Sequence, residues 1–469
     1  MGAERPPVRA RSLILAAFVG LILSLGAASA AHAAPAAWAP AVDVSPGQPG
    51  REAVSAVAPD GAIIAAWTSD SSPDAAILFA TSHDDGASWS APVNLSGTGA
   101  YDASPRIAVL DDGTITVVFA HNFTTVQATT SLDDGASWSS PRTLSSPGVE
   151  AVYSTVVTDG DTFIASWSQY TGGILYALDV SSSSDGLTWG PITSVSDPGD
   201  RALGGRVIVS GLTLTAIWSS GNGAPIDVRT SNSIDGGLTW TPSSVLYTAS
   251  VNGYVEAFVR APNGTVTALV IVNDGVTQQL LAARSADGGL TWSLTPLSPN
   301  SSASTLTAAS DSALVAAWVP IGTNVVNFAR STDNGETWSP AVTATPPGQD
   351  ASAPQLVVSP TGEITLAFSG STGVSLAVFA TSSTDNGLTW SVPALLSSTA
   401  SAENPLILLA DNNQPVVMWN GTRVQSAARV LAAAAALPAT GADPLPWLLA
   451  GLLLVAVGAG ARLRRSDRV

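Results

Sequence analysis

Cysteine is absent from this 469-residue chain, so no disulfide framework can hold it together, and thiol catalysis and thiolate metal sites are excluded. Lysine is absent as well. All 18 basic residues are arginines, set against 35 aspartates and glutamates, for a formal net charge of −17. So acidic a balance lacks the basic stripes that nucleic acid or an anionic membrane surface requires, and neither is expected as a partner. Without covalent cross-links, stability has to come from a buried core and from closing the ends of whatever sheets the chain forms.

The two ends read differently from the middle. Arg5, Arg9 and Arg11 precede an apolar stretch from Ser12 to Ala28, and small-residue sites follow at Ala28-Ser29-Ala30 and Ala31-His32-Ala33. That order is expected of a secretory signal peptide over residues 1–33, the apolar run being shorter than the ~20 residues of a membrane span. At the other end, Leu437-Pro438-Ala439-Thr440-Gly441 is followed by an apolar run from Leu445 to Ala461 and then by Arg462, Arg464, Arg465 and Arg468. These three parts, over residues 437–469, resemble the LPxTG sorting signal of Gram-positive wall proteins. The resemblance implies that the apolar helix holds the precursor transiently in the membrane with the arginines inside. A sortase cysteine would then attack the Thr440 carbonyl and join the chain to peptidoglycan. The expected product is secreted and covalently anchored to the cell wall, with residues 432–436 as a short linker.

Between the ends, residues 34–431 are organised by a repeat. Seven segments share the pattern Ser-x-Asp-x-Gly-x-Thr/Ser-Trp, beginning at Ser82, Ser131, Ser182, Ser233, Ser285, Ser331 and Ser383 and stepping by 49, 51, 51, 52, 46 and 52 residues. The copy at Ser182 departs, with Ser184 where aspartate is expected and Asp185 beside it. Serine and aspartate side chains accept bonds from the amides of a tight turn, and glycine supplies a φ that other residues resist. The tryptophan then returns as an apolar plug. The pattern resembles the Asp-box (BNR) repeat of sialidase-like β-propellers, and the resemblance covers nearly the whole middle of the chain.

The first unit shows strand-like runs at Ala53 to Ala58, Ala62 to Trp67, Ala75 to Thr81 and Ser88 to Leu95, the content of one four-stranded antiparallel blade. The second run of each unit ends on a bulky residue: Trp67, Phe119, Trp167, Trp218, Val270, Trp318, Phe368 and Trp419. These are eight, one more than the boxes. Trp38 to Ser45 matches Trp89 to Ser96, so the N-terminal segment is expected to supply the fourth strand of a last blade whose third strand runs from about Arg423 to Val430. The expected fold is therefore an all-β propeller of eight blades, with seven as the alternative, closed by both ends of the chain sharing one blade.

In this family the boxes lie on the face away from the ligand site. The opposite face carries a second period of carboxylates: Glu52, Asp102, Glu150, Asp200, Glu256, Asp350 and Glu403. Two readings stand side by side. They cap turns that recur with the blade, or they form a negative funnel round the pore that holds a cation such as calcium, or a basic ligand. The less regular residues of that face are Arg51, Tyr101, Arg106, His121, Tyr153, Tyr170, Arg201, Arg206 and Tyr254. Each taken alone is more often a packed or solvated loop residue.

Two functions follow. The resemblance implies an exo-sialidase, in which an arginine triad grips the substrate carboxylate, a tyrosine activated by glutamate is the nucleophile and an aspartate does the acid–base work. Arg106-Ile107 is a faint echo of the family's Arg-Ile-Pro signature, and Tyr254 and Glu256 share one strand. Proline is missing after Ile107, however, a box already precedes Arg106, and sialidase propellers have six blades. The favoured expectation is a non-catalytic module, monomeric and without a cofactor, that binds an extracellular glycan or protein.

Overall fold

The structure, a computed structural model, describes residues 37–430 apart from 71–73, 98, 222–224, 262, 310–312, 349 and 398–400. The expected signal peptide, the linker, the Leu437–Gly441 motif and the apolar and arginine-rich tail lie outside the described residues. Eight four-stranded antiparallel sheets make up the fold, as the count of bulky residues anticipates.

In the first blade the strands are Gly50–Val57, Ile63–Ser69, Ile77–Ser82 and Val93–Asn94, running from the pore outwards. The second strand is buried at every position. It reads as a continuous apolar run because the neighbouring blades cover both of its faces. The eight bulky residues are each 0 or 1% exposed, so they form the centre of each inter-blade core.

The boxes make the turn between third and fourth strands. In the first, Ser88 N and Oγ donate to the two Asp84 carboxylate oxygens at 2.8 and 2.6 Å, and Gly86 N donates to Ser82 Oγ at 2.9 Å. Asp85 and Gly86 both take positive φ, 55° and 83°, which is why this pair is Asp-Gly, Gly-Gly or Asn-Gly in the regular copies. The tryptophans of boxes two to five and seven return their indole N–H to the carbonyl of their own box glycine at 2.8–3.1 Å. In the fourth box the Thr239 hydroxyl, then its amide and the Ser233 hydroxyl, hold the Asp235 carboxyl down to about 2. The third box begins one residue later than the sequence pattern suggests. Ser183 Oγ donates to Asp185 at 3.0 Å, and the Leu187 and Thr188 amides donate to the same carboxylate at 2.8 and 2.6 Å. One residue is missing between aspartate and glycine, and the turn tightens rather than failing.

Closure uses both ends. The last sheet is Glu403–Leu409, Pro415–Asn420, Gln425–Ala428 and, outermost, Val42–Asp43. Val42 pairs with Ser426 and Asp43 with Gln425, antiparallel, and Trp38 bridges Arg429. Trp38 packs on a core containing Val378, Val417 and Trp419, while the Trp89 indole of the first blade donates to Ser426 Oγ at 2.9 Å. The edge that the last third strand would expose is thus covered.

Trp38→Ala is expected to cost roughly 2–4 kcal/mol, somewhat under the figure for a fully buried tryptophan, and deleting residues 37–46 to leave a chain that aggregates. Thermal melting and size-exclusion chromatography read both, and melting unchanged by either alteration would contradict the closure. A second expectation concerns Asp179 on a third strand, opposite Trp167 and 6% exposed. Burial pushes its carboxyl up to about 6 against an opposing bond from Ser194. The folded chain therefore binds an extra proton between about pH 4 and pH 6, and carries the cost of a buried charge above that window. Asp179→Asn should stabilise at pH 7.5, on the order of 2 kcal/mol, and bring no gain at pH 4. A pH series of melting curves checks the sign.

Candidate functional site at the mouth of the pore

The face opposite the boxes is shaped by one recurring irregularity. In six blades two residues of the innermost strand stand opposite a single residue of the second, and that residue is Trp67, Phe119, Trp167, Trp218, Phe368 or Trp419. In the fifth and sixth blades one extra residue, Glu256 or Ala303, breaks the register beside Val270 or Trp318. The residue at the bulge takes positive φ in seven blades: Glu52, Ser104, Tyr153, Gly204, Ala303, Ala353 and Asn404. A bulge re-aims the side chains after it and frees amides for the next blade.

The seven carboxylates do not share a register on this frame. Glu52 and Glu256 occupy the bulge itself. Each crosses to the next blade, Glu52 accepting Ser104 N at 2.8 Å, besides Thr68 Oγ1 of its own blade at 3.1 Å, and Glu256 accepting Ser304 N at 3.1 Å. Asp102 is buried two residues before its bulge and bonds His121 Nδ1 at 2.7 Å. Glu150 accepts the Tyr176 hydroxyl at 3.1 Å, Asp200 the Ser220 hydroxyl at 2.9 Å, and Asp350 the Asn324 amide group at 2.8 Å. Glu403 is exposed on the rim. The period of about fifty residues is the blade period; on this frame Glu52 and Glu256 accept amides of the next blade, while Asp102, Glu150, Asp200 and Asp350 each bond a single side chain. Among the described residues, no group of three or more His, Asp or Glu side chains is placed to hold a metal ion.

Two arginines do share a register. Arg106 and Arg206 each stand two residues after the bulge of their innermost strands, Asp102–Val109 and Ala202–Ser210, with the third blade between them. Both reach solvent, yet the pore wall crowds them. That crowding draws Arg106 below its ordinary value, repulsion from Arg206 adds to it, and Glu52 opposes it. Arg206 is drawn down by the same crowding and supported by Glu256. Their contacts are with carbonyls, Arg106 Nη1 to Pro105 O at 2.8 Å and Arg206 Nε to Val255 O at 3.4 Å. Neither joins an ion pair with a described residue. Between them Tyr153, 63% exposed, holds a φ of 54° that a bulky side chain adopts only at a cost.

Tyr254 and Glu256 lie on the same innermost strand, Asn252–Arg260, within electrostatic reach of one another. Burial, and then repulsion from Glu256, push the Tyr254 hydroxyl up, against a bond from Gln278 at 3.2 Å. The two side chains are bonded elsewhere, the Tyr254 hydroxyl by Gln278 and the Glu256 carboxylate by Ser304 N at 3.1 Å. Further out, Tyr170 and Tyr176 meet edge to face with centroids 5.5 Å apart, and Arg201 lies beside Tyr176. At the first blades Arg51 packs 5.5 Å from the centre of the Tyr101 ring and bonds its hydroxyl, and Phe123 stacks on Tyr101 at 4.6 Å. The mouth thus gathers Arg106, Arg206, Glu52, Tyr254 and Glu256, and leaves Glu150, Asp200, Arg201, Asp350 and Glu403 on the periphery. Phe123 was not among the residues expected from sequence. Clefts also open on the box face, one of about 560 Å³ between the sixth and seventh boxes, but equivalent positions line crevices at the third and seventh blades.

Eight sheets with an Asp box at seven of their outer turns define an Asp-box β-propeller. The chain belongs to the BNR repeat-like domain family, which matches residues 61–298, and a BNR/Asp-box repeat is matched again at residues 329–340. No curated protein matches it. Among solved structures it is similar to the BP39L lectin from Burkholderia pseudomallei, at 14% identity over 76% of this chain and 100% of the lectin, with a TM-score of 0.53. It is also similar to Hadza microbial sialidase Hz136, at 16% identity over 69% of this chain and 74% of that one, with a TM-score of 0.42. The α-L-arabinofuranosidase of Fusarium graminearum matches at 13% identity over 60% and 93%, with a TM-score of 0.39. At such identities the likeness is one of fold.

Proposed function

We propose that this chain is a non-catalytic glycan-binding propeller whose mouth takes an acidic carbohydrate. The observation that carries the reading is the pair Arg106 and Arg206. In a chain with nearly twice as many acids as bases, two guanidiniums at one register face solvent with no carboxylate of the described residues in direct contact, Glu52 and Glu256 acting on them only from a distance. A guanidinium offers a planar fork of donors suited to a carboxylate or sulfate, and it stays charged under all ordinary conditions. Tyr153 supplies an exposed ring between the two. Hydrolysis is the weaker reading, because Tyr254 and Glu256, the nucleophile and base it would need, are bonded to Gln278 and Ser304 N rather than to one another. The similarity to a lectin over its whole length is compatible with binding.

We further propose that the sorting signal displays this module on the cell wall. What supports this is the order of Leu437–Gly441, the apolar run from Leu445 to Ala461 and the four arginines that follow it.

Purified protein is expected to bind polygalacturonate, hyaluronan or 3′-sialyllactose more weakly as salt rises. Arg106→Ala or Arg206→Ala should lower that affinity by about tenfold or more, the worth of a charge-assisted bond. Affinity unchanged in both variants would sink the reading. Turnover of a fluorogenic sialoside that disappears in Tyr254→Phe would establish the hydrolase instead. For display, Thr440→Ala should move the protein from the wall fraction to membrane or medium. Persistence in the wall would refute the sorting proposal.

A further inference from the structure

The hairpin between the second and third strands of the second blade ends in a turn closed by Thr124 N donating to His121 O at 3.0 Å. Its central residues, Asn122 and Phe123, both have positive φ, 50° and 54°. A turn of this kind ordinarily takes glycine in the second place, because a side chain there meets the following carbonyl. The equivalent hairpins of blades three to eight each contain a glycine: Gly172, Gly221, Gly275, Gly322, Gly373 and Gly421. Here the place is filled by a phenylalanine that leaves 57% of its surface in water. Burial therefore does not compensate for the backbone conformation.

What surrounds the turn holds the ring in position. Buried Asp102 bonds His121 Nδ1 at 2.7 Å, Asn122 Nδ2 meets His121 Nε2 at 3.2 Å, and Tyr101 N donates to Asn122 Oδ1 at 3.0 Å. Phe123 stacks on Tyr101, whose ring in turn lies against Arg51. Arg51 also walls an open cleft of about 440 Å³ between the last and first blades, with Asp70, Ser401, Glu403, Asn420 and Thr422. Gly50, which also lines it, bridges Gly421, and a Cβ there would come within 2.8 Å of buried Trp67 and Val424, so the position takes no larger residue.

We propose that the Phe123 ring and this seam cleft form one binding site for a neutral oligosaccharide, an inference that rests on the glycan-binding reading above. A pyranose presents an apolar face of C–H groups and an equator of hydroxyls. An exposed aromatic face held rigidly from behind suits the first, and a rim of hydroxyl, carboxamide and carboxylate groups suits the second. Charge selects against an acidic sugar. The Arg51 guanidinium is balanced by Asp70 at 3.9 Å and Glu52 at 4.0 Å, and Glu403 adds a further carboxylate. Tyr101 and Arg51 stand between platform and cleft, so a ligand touching both is longer than one sugar. Together with the arginines of the mouth, the site fits a heteropolysaccharide that carries both acidic and neutral residues.

Titration calorimetry with cellotriose, xylotriose and chitotriose tests this on the whole protein. Wild type should bind at least one of them, and Phe123→Gly should weaken that binding by about tenfold or more while raising the melting temperature, since glycine relieves the turn. Phe123→Trp should retain binding. Glu403→Ala, at the far wall, should weaken it while leaving the melting temperature unchanged. Trisaccharide binding untouched by Phe123→Gly overturns this inference and leaves the glycan reading standing. A wild-type protein that binds neither these sugars nor the acidic ones overturns both. A protein ligand whose capture needs Phe123 but is not displaced by any of the trisaccharides also overturns it.

Discussion

The geometry of the mouth depends on the packing between the large residue that ends each second strand and the innermost strand beside it. Two residues opposite one is the arrangement that lets a tryptophan or phenylalanine sit in the inter-blade core without pushing the innermost strand into the pore. The strand accommodates it by bulging, and the bulge decides where the following side chains point. Arg106 and Arg206 reach solvent at one height because Phe119 and Trp218 are seated at one height. Glu52 reaches the Ser104 amide of the next blade for the same reason, beside Trp67. Core packing and mouth chemistry are thus one constraint seen from two sides.

This explains which parts of the molecule were legible beforehand. The blade count and the shared last blade follow from local turn chemistry and from bulky residues that recur, and both survive the step from sequence to structure. The start of the third box did not, because a deletion between Asp185 and Gly186 shifts the pattern by one residue, and only the bond from Ser183 shows which serine is used. The ring of carboxylates did not either. Glu52, Asp102 and Glu150 lie roughly fifty residues apart, but their offsets from the bulge are zero, two and three, and the bulge is set by pairing across strands. The same offset hides the equivalence of Arg106 and Arg206. Phe123 is hidden for another reason: a phenylalanine in a hairpin is ordinary by residue type, and its signal lies only in the dipeptide Asn122-Phe123 where blades three to eight place glycine.

The boxes and the mouth show opposite treatments of polar groups. On the box face each box aspartate accepts amides and hydroxyls of its own turn, within a few residues, as groups repeated for the sake of the fold do. At the mouth, repetition lapses. Tyr153 and Phe123 hold backbone conformations that L side chains avoid, and two guanidiniums rest on carbonyls rather than carboxylates. The positive-φ positions of the boxes are filled by aspartate, asparagine and glycine, which tolerate that conformation, whereas at the mouth bulky side chains occupy it.

The shared last blade also has a bearing on time. Its outermost strand, Val42–Asp43, is among the first described parts of the chain to be made, and the strand it pairs with is among the last. Every other outer strand finds its partner within its own repeat. The seam is therefore the contact of greatest sequence separation, and such contacts form slowly because the whole intervening chain has to be ordered first. Until they form, the ring is an open arc whose last third strand is a bare edge, the kind of edge that recruits another chain. In a chain without cysteine no covalent bond can hold that arc while it waits. The rate at which the seam closes, set against the rate at which two arcs meet, then governs how much of the protein becomes a closed ring.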